Sequence, residues 1–172
     1  MQFPNLEELD NLDAFSEELN QFFEWVNRDD SLIHNGEPFP KHELSFFARL
    51  TYPEIIVATV EELESLLWRI NTLSTRIQVH INLQERALAW LNTRLSKYVT
   101  LVNPQLLSSY YAKEDKLQCL GQEYPVVREA LRLRDFYFQQ KIKLTGLDTI
   151  IERVTKMISF RLFASQNIKD NG

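Results

Sequence analysis

The chain has 172 residues, 44% of them hydrophobic and 25% charged, with a formal net charge of −5. That is long enough for a single domain or two small ones, and too apolar for a disordered chain. With only 4 glycines and 6 prolines, it lacks the turn residues that a sandwich or barrel needs at roughly every 8–12 positions, so a few long helices are expected instead.

Residues 5–27 carry Leu6, Leu9, Leu12, Phe15, Leu19, Phe22, Phe23 and Val26. This spacing predicts a helix with one apolar stripe, N-capped by Asn5. Arg28 to Pro40 holds the densest turn chemistry and is expected to be a loop. A short helix over 41–50 follows, with Leu44, Phe47 and Leu50 on one side.

After Pro53, apolar side chains recur in 4-3 steps: Ile56, Val60, Leu63, Leu67, Ile70, Ser74, Ile77, Ile81, Gln84, Leu88, Leu91, Leu95, Tyr98, Val102. Only Ser74 and Gln84 interrupt this heptad seam. Pro53 suits a first helical turn, and Asn103-Pro104 is the next strong break. One helix of about 50 residues, ~75 Å long, is predicted, and it needs a partner along its seam. A short helix around Gln105–Tyr111 and a loop over Cys119–Pro125 are expected next. From Val126 the spacing resumes through Ala130, Leu133, Tyr137, Gln140, Leu144, Leu147, Ile151, Val154 and Ile158. Gly146 inside this second helix is expected to mark a close-packing point.

Two such seams joined by about twenty residues predict an all-α fold: a long antiparallel hairpin or coiled coil over 53–172, behind an acidic helical region at 1–52. Several apolar residues lie off the seams: Ile55, Leu66, Leu73, Trp90, Leu131, Phe136, Phe138, Ile142, Ile150, Met157, Leu162 and Phe163. Residues 5–50 are expected to cover some of them, and further copies of the chain the rest. The residues expected to carry homo-oligomerisation are Ile70, Ile77, Ile81, Leu88, Leu91, Leu95, Leu144, Leu147, Ile151, Val154 and Ile158. Whether the hairpin closes within one chain or between chains stays open.

The residue chemistry gives no sign of an enzyme, a metal or a cofactor. His34, His42 and His80 do not form a ligand pair, and no phosphate-binding glycine loop can be assembled. Glu61, Glu62 and Glu64 open the long helix, where acids favour its dipole. His80 reads as a partly exposed helix residue and Cys119 as a buried or inert thiol. The lone cysteine excludes an internal disulfide and agrees with a reducing compartment. The start lacks the basic and apolar regions of a secretory signal, and no run approaches a membrane span, so a cytoplasmic protein is expected.

Charge is unevenly distributed. Residues 1–70 hold 15 acidic against 4 basic residues (−11), and residues 71–172 hold 15 basic against 9 acidic (+6). Arg94, Lys97, Arg128, Arg132, Arg134 and Lys141, with Tyr110, Tyr111, Phe136, Tyr137 and Phe138 interleaved, are the residue types that single-stranded nucleic acid requires: cations for phosphate and rings for bases. Neighbouring acids, as in Arg128–Glu129, Arg134–Asp135 and Glu152–Arg153, offer those cations structural partners instead.

Phe136-Tyr137-Phe138, Leu144-Thr145-Gly146-Leu147-Asp148-Thr149-Ile150-Ile151-Glu152-Arg153 and Ile158-Ser159-Phe160-Arg161-Leu162-Phe163-Ala164-Ser165 resemble the end of the T4-type phage recombination mediators (the UvsY family). The resemblance spans about residues 75–168. This chain is longer, with an added acidic N-terminal region, and lacks a glycine after Arg153. The resemblance implies a ring-forming, non-enzymatic protein that binds single-stranded DNA through the six basic residues above and helps load a recombinase. The alternative is a virion or scaffold protein acting through coiled-coil protein contacts alone.

Overall fold

The structure is a computed structural model. It describes residues 9–34, 41–102 and 112–170, without the side chains of 27–34 and 166–170. The described residues form helices and no strands: α1 (Leu12–His34), α2 (Lys41–Arg49), α3 (Tyr52–Val57), α4 (Val60–Leu101), α5 (Lys113–Glu123) and α6 (Pro125–Asp170). The fold is all-α, and its two longest helices coincide with the two heptad seams.

Several boundaries differ from expectation, each for a local reason. The Ala14 amide donates to Asn11 Oδ1 at 3.0 Å, so Asn11 caps α1; Asn5 and Leu6 lie outside the described residues. At its other end α1 runs into the expected loop as far as His34, because no glycine or proline occurs from Arg28 to Asn35. The long helix expected from Pro53 is two helices. Ala58, extended at φ −67° and ψ 143°, ends α3. Thr59 then caps α4 reciprocally: its amide donates to Glu62 Oε2 at 2.8 Å, and the Glu62 amide donates to Thr59 Oγ1 at 3.2 Å. Thr51 and Glu54 stand in a similar relation at α3, where the Thr51 amide donates to Glu54 Oε2 at 2.7 Å.

Of the loop expected over Cys119–Pro125, residues 119–123 are the end of α5. Leu117, Leu120 and Gly121 bury one helical face, whereas Cys119 faces outward and is exposed rather than buried. Tyr124 is extended because it precedes Pro125, and the proline opens α6. The short helix expected around Gln105–Tyr111 lies outside the described residues. Gly146 has no atom within 4 Å of where a Cβ would sit, so it is not a close-packing point; that role belongs to Gly121, whose added Cβ would lie 3.1 Å from Leu131 Cδ1.

The chain divides into two compact units: residues 1–33 with 83–141, and residues 34–82 with 142–172. Of the helices before the long pair, α1 belongs to the first unit and α2 and α3 to the second. In each unit a stretch of α4 packs on a stretch of α6 that runs the opposite way.

In the first unit, Leu91, Leu95, Tyr98 and Val102 meet Val126, Val127, Ala130 and Leu131, with Leu117 and Leu120 of α5 and Phe15 of α1 completing the core. Trp90, off the seam, is covered by α1: the rings of Phe15 and Phe22 lie 5.9 and 5.3 Å from it. In the second unit, Leu63, Ile70, Leu73, Ile77 and Ile81 meet Ile151, Val154, Ile158 and Leu162, and Phe47 and Ile55 close the core from α2 and α3. Of the eleven side chains expected at an oligomer seam, Ile70, Ile77, Ile81, Leu91, Leu95, Ile151, Val154 and Ile158 are buried within the chain itself. Leu88, Leu144 and Leu147 are half-buried. Ile56, the first position of the first seam, is exposed on α3 instead.

Candidate interaction surfaces

All six basic residues singled out for nucleic acid belong to the first unit, and the chain supplies partners for them. Arg94 lies over the Trp90 ring at 5.3 Å and pairs with Glu18 of α1 at 2.9 Å, so it joins α1 to α4. Arg128 donates from Nε to the Gly121 carbonyl and from Nη2 to the Gln122 carbonyl, both at 3.0 Å, satisfying acceptors that the end of α5 leaves open. Arg132 reaches Glu129 one turn back with Nε–Oε2 at 2.8 Å. Arg134 grips Glu114 of α5 with both terminal nitrogens, Nη1 at 3.1 Å, and lies 3.6 Å from Asp135. Lys141 pairs with Glu85 of α4 at 2.7 Å. Lys97 is exposed and is engaged as well.

Of the neighbouring acids expected to pair with arginines, Asp135 does lie beside Arg134. Glu129 serves Arg132 rather than Arg128, and Glu152 serves Lys156 at 2.6 Å rather than Arg153. Helical geometry explains both shifts: residues three or four apart face each other and adjacent ones do not. Tyr110 and Tyr111 lie outside the described residues. Tyr137 packs its ring, tilted, at 5.7 Å from that of Phe23 of α1 and is half-buried, whereas Phe136 and Phe138 are exposed.

The electrostatics follow the pairing. Hydrogen bonds from Arg134 hold the Glu114 carboxyl below its usual range, and Arg132 and Lys156 do the same for Glu129 and Glu152. The Thr51 hydroxyl and amide lower Glu54. Burial pushes the Tyr137 phenol up. A carboxylic general acid working at neutral pH needs the opposite displacement, upward, that burial or a like charge gives; these four acids are held ionised. Among the described residues no group of three or more His, Cys, Asp and Glu is placed to hold a metal ion, and no helix is long and apolar enough to cross a membrane.

What remains is apolar surface. In the first unit, Leu88, Ala89 and Phe138 line a groove bounded by Glu85, Lys141, Arg134 and Asp135. In the second unit, Val57, Ala58 and Leu66 line a groove of about 690 Å³ rimmed by Glu54, Glu61 and Glu62, with Arg69 also on its wall. That volume is in the range of small-molecule pockets, roughly 300–1,000 Å³, yet Val57 is 81% exposed, which makes it a surface groove and not an enclosed site. Arg69 is committed locally, 3.8 Å from Glu43 and 5.0 Å over the Phe46 ring. Trp68, 72% exposed, shares a helix face with Glu61 and Ser65, and Phe160 and Phe163 are 69% and 64% exposed on α6.

Leu66, Phe138 and Phe163 were among the off-seam residues expected to need covering, whereas Val57, Trp68 and Phe160 were not. Trp68 had a visible signal, a large aromatic on the polar side of a helix. Thr59-x-x-Glu62 also marked the start of α4, and with it the turn that leaves Val57 outside. Against known proteins, no family model, curated protein or solved structure matches the chain.

Proposed function

We propose that this chain is a non-enzymatic helical protein that works by self-association, in a structural or assembly role, through apolar side chains on the outer faces of its helices. The observation that carries this reading is what stays outside once the seams are filled. The chain buries most of its own heptad positions, yet Val57, Trp68, Phe160 and Phe163 of the second unit, and Trp25 of the first, remain mostly exposed. Large apolar side chains left outside once a core is filled are where a protein contact forms. Association therefore uses the off-seam residues, a different set from the eleven seam positions.

Single-stranded DNA binding and recombinase loading, implied by the phage-mediator resemblance, form the competing reading. It requires Arg94, Arg132, Arg134 and Lys141 to give up Glu18, Glu129, Glu114 and Glu85 in favour of phosphate. Exposed ion pairs are weak enough for such an exchange, but Arg94 and Arg134 also hold helices together.

Light scattering over the micromolar range, with and without a single-stranded oligonucleotide at low salt, separates the two. Self-association without the oligonucleotide, and no binding to it, is expected. A monomer throughout, or tight binding that falls steeply with added salt, would overturn the proposal.

A further inference from the structure

The second unit carries two exposed surfaces of opposite character. One is the groove at α3 and the start of α4, with Val57, Ala58 and Leu66 on its walls and Glu54, Glu61 and Glu62 around it. Glu54 and Glu62 spend an oxygen each on capping Thr51 and Thr59, and Arg69 is held by Glu43, so the rim stays net acidic. The other is a stripe on α6. Arg153, Lys156, Phe160 and Phe163 follow one another in 3-4-3 steps, which puts them on a single face, and all four are exposed. Its first half is cationic, although Lys156 shares its charge with Glu152; its second half is aromatic.

Neither surface covers the other within one chain, since Val57 is 81% and Phe160 69% exposed. An apolar groove with an acidic rim and an aromatic stripe with a basic end are complementary in both polarity and charge. We infer that the α6 stripe of one copy docks in the α3–α4 groove of a second copy, Phe160 and Phe163 filling the apolar floor while Arg153 and Lys156 meet Glu61 and Glu62. Because both surfaces belong to the same unit, a twofold arrangement lets each copy give its stripe and receive its partner's, so every contact occurs twice. This inference rests on the self-association reading above and specifies the surfaces involved.

A charge exchange tests the pairing. Glu61 and Arg153 are exposed, and no hydrogen bond or ion pair described for the chain depends on either. Sedimentation velocity from 1 to about 100 µM would be run on the full chain and on Glu61→Lys, Arg153→Glu and the double variant, with circular dichroism melts confirming that each is folded. Either single reversal should raise the dissociation constant about tenfold, since like charges then face each other twice per dimer, and the double variant should recover most of the loss. Phe160→Ser, at an exposed position, should weaken association at least as much without a charge change. If the chain associates but neither the reversals nor Phe160→Ser alter it, or the double variant is no better than the singles, the docking fails while self-association stands. A monomeric wild type sinks both.

Discussion

Gly146 lies within α6 with open space where a side chain would project, and its backbone is not in the left-handed region that only glycine tolerates. Gly146→Ala is therefore expected to stabilise the chain by about 0.5–1 kcal/mol, the helix-propensity difference, in a urea titration. Gly121 is a different case, because the added methyl would press on Leu131 at 3.1 Å. Both glycines are equally plain in the sequence, yet only the packing around them tells which one a contact has used. Gln84 is a second residue of this kind. It interrupts the first seam, and its Oε1 is buried with no hydrogen-bond partner. An unsatisfied buried carbonyl costs roughly 1–3 kcal/mol, so Gln84→Leu is expected to raise the melting temperature; an unchanged or lower value would show that the amide makes up this cost elsewhere. Ser74, the other polar interruption, lies 3.4 Å from Asp148 Oδ1, a long contact that still gives it a polar neighbour on α6.

At the scale of the helix, periodicity located α4 and α6 because a stripe repeating every three or four residues has no stable alternative to a helix with something against it. It missed α5, an eleven-residue helix with only Leu117, Leu120 and Gly121 buried. So short an apolar face is too brief to establish a period, and Gly121 read as a turn signal. What holds α5 is tertiary: Arg134 and Arg128 reach it from α6, and Lys113 donates to Ser96 of α4 at 2.6 Å. The arginine link to Glu114 is pH-dependent. The carboxyl's folded-state pKa lies below its ordinary 4.5. The stabilisation is thus fully present above that ordinary value and is lost as pH falls through the lower folded one. Amide hydrogen exchange in α5, corrected for intrinsic rate, should accelerate relative to α6 on acidification below about pH 4.5, and Glu114→Gln should remove most of that pH dependence. The second partner, Asp135, keeps Arg134 from being stranded in the variant.

For the molecule as a whole, filled seams and exposed off-seam residues predict very different costs of truncation. Ile151→Ala, at a fully buried position, should destabilise by about 2–5 kcal/mol through lost burial and the cavity left behind, whereas Phe163→Ala at 64% exposure should change monomer stability little. A large loss at Phe163 under conditions where the chain associates, vanishing on dilution, would identify it as an interface residue. The helical class, the two long helices and most of the core were legible in the residue pattern, because heptad spacing and the scarcity of glycine and proline restrict the chain to few long elements. The pattern offered the two seams to each other as an antiparallel hairpin but was silent on whether they close within one chain, since an apolar stripe asks for a partner without saying from which copy. Folding assigned α4 and α6 to each other, gave α1 to one unit and α2 with α3 to the other, and drew the expected nucleic-acid cations into ion pairs and caps. Those outcomes depend on contacts between residues far apart in the chain, where side-chain reach and packing in three dimensions, not local spacing, select the partner.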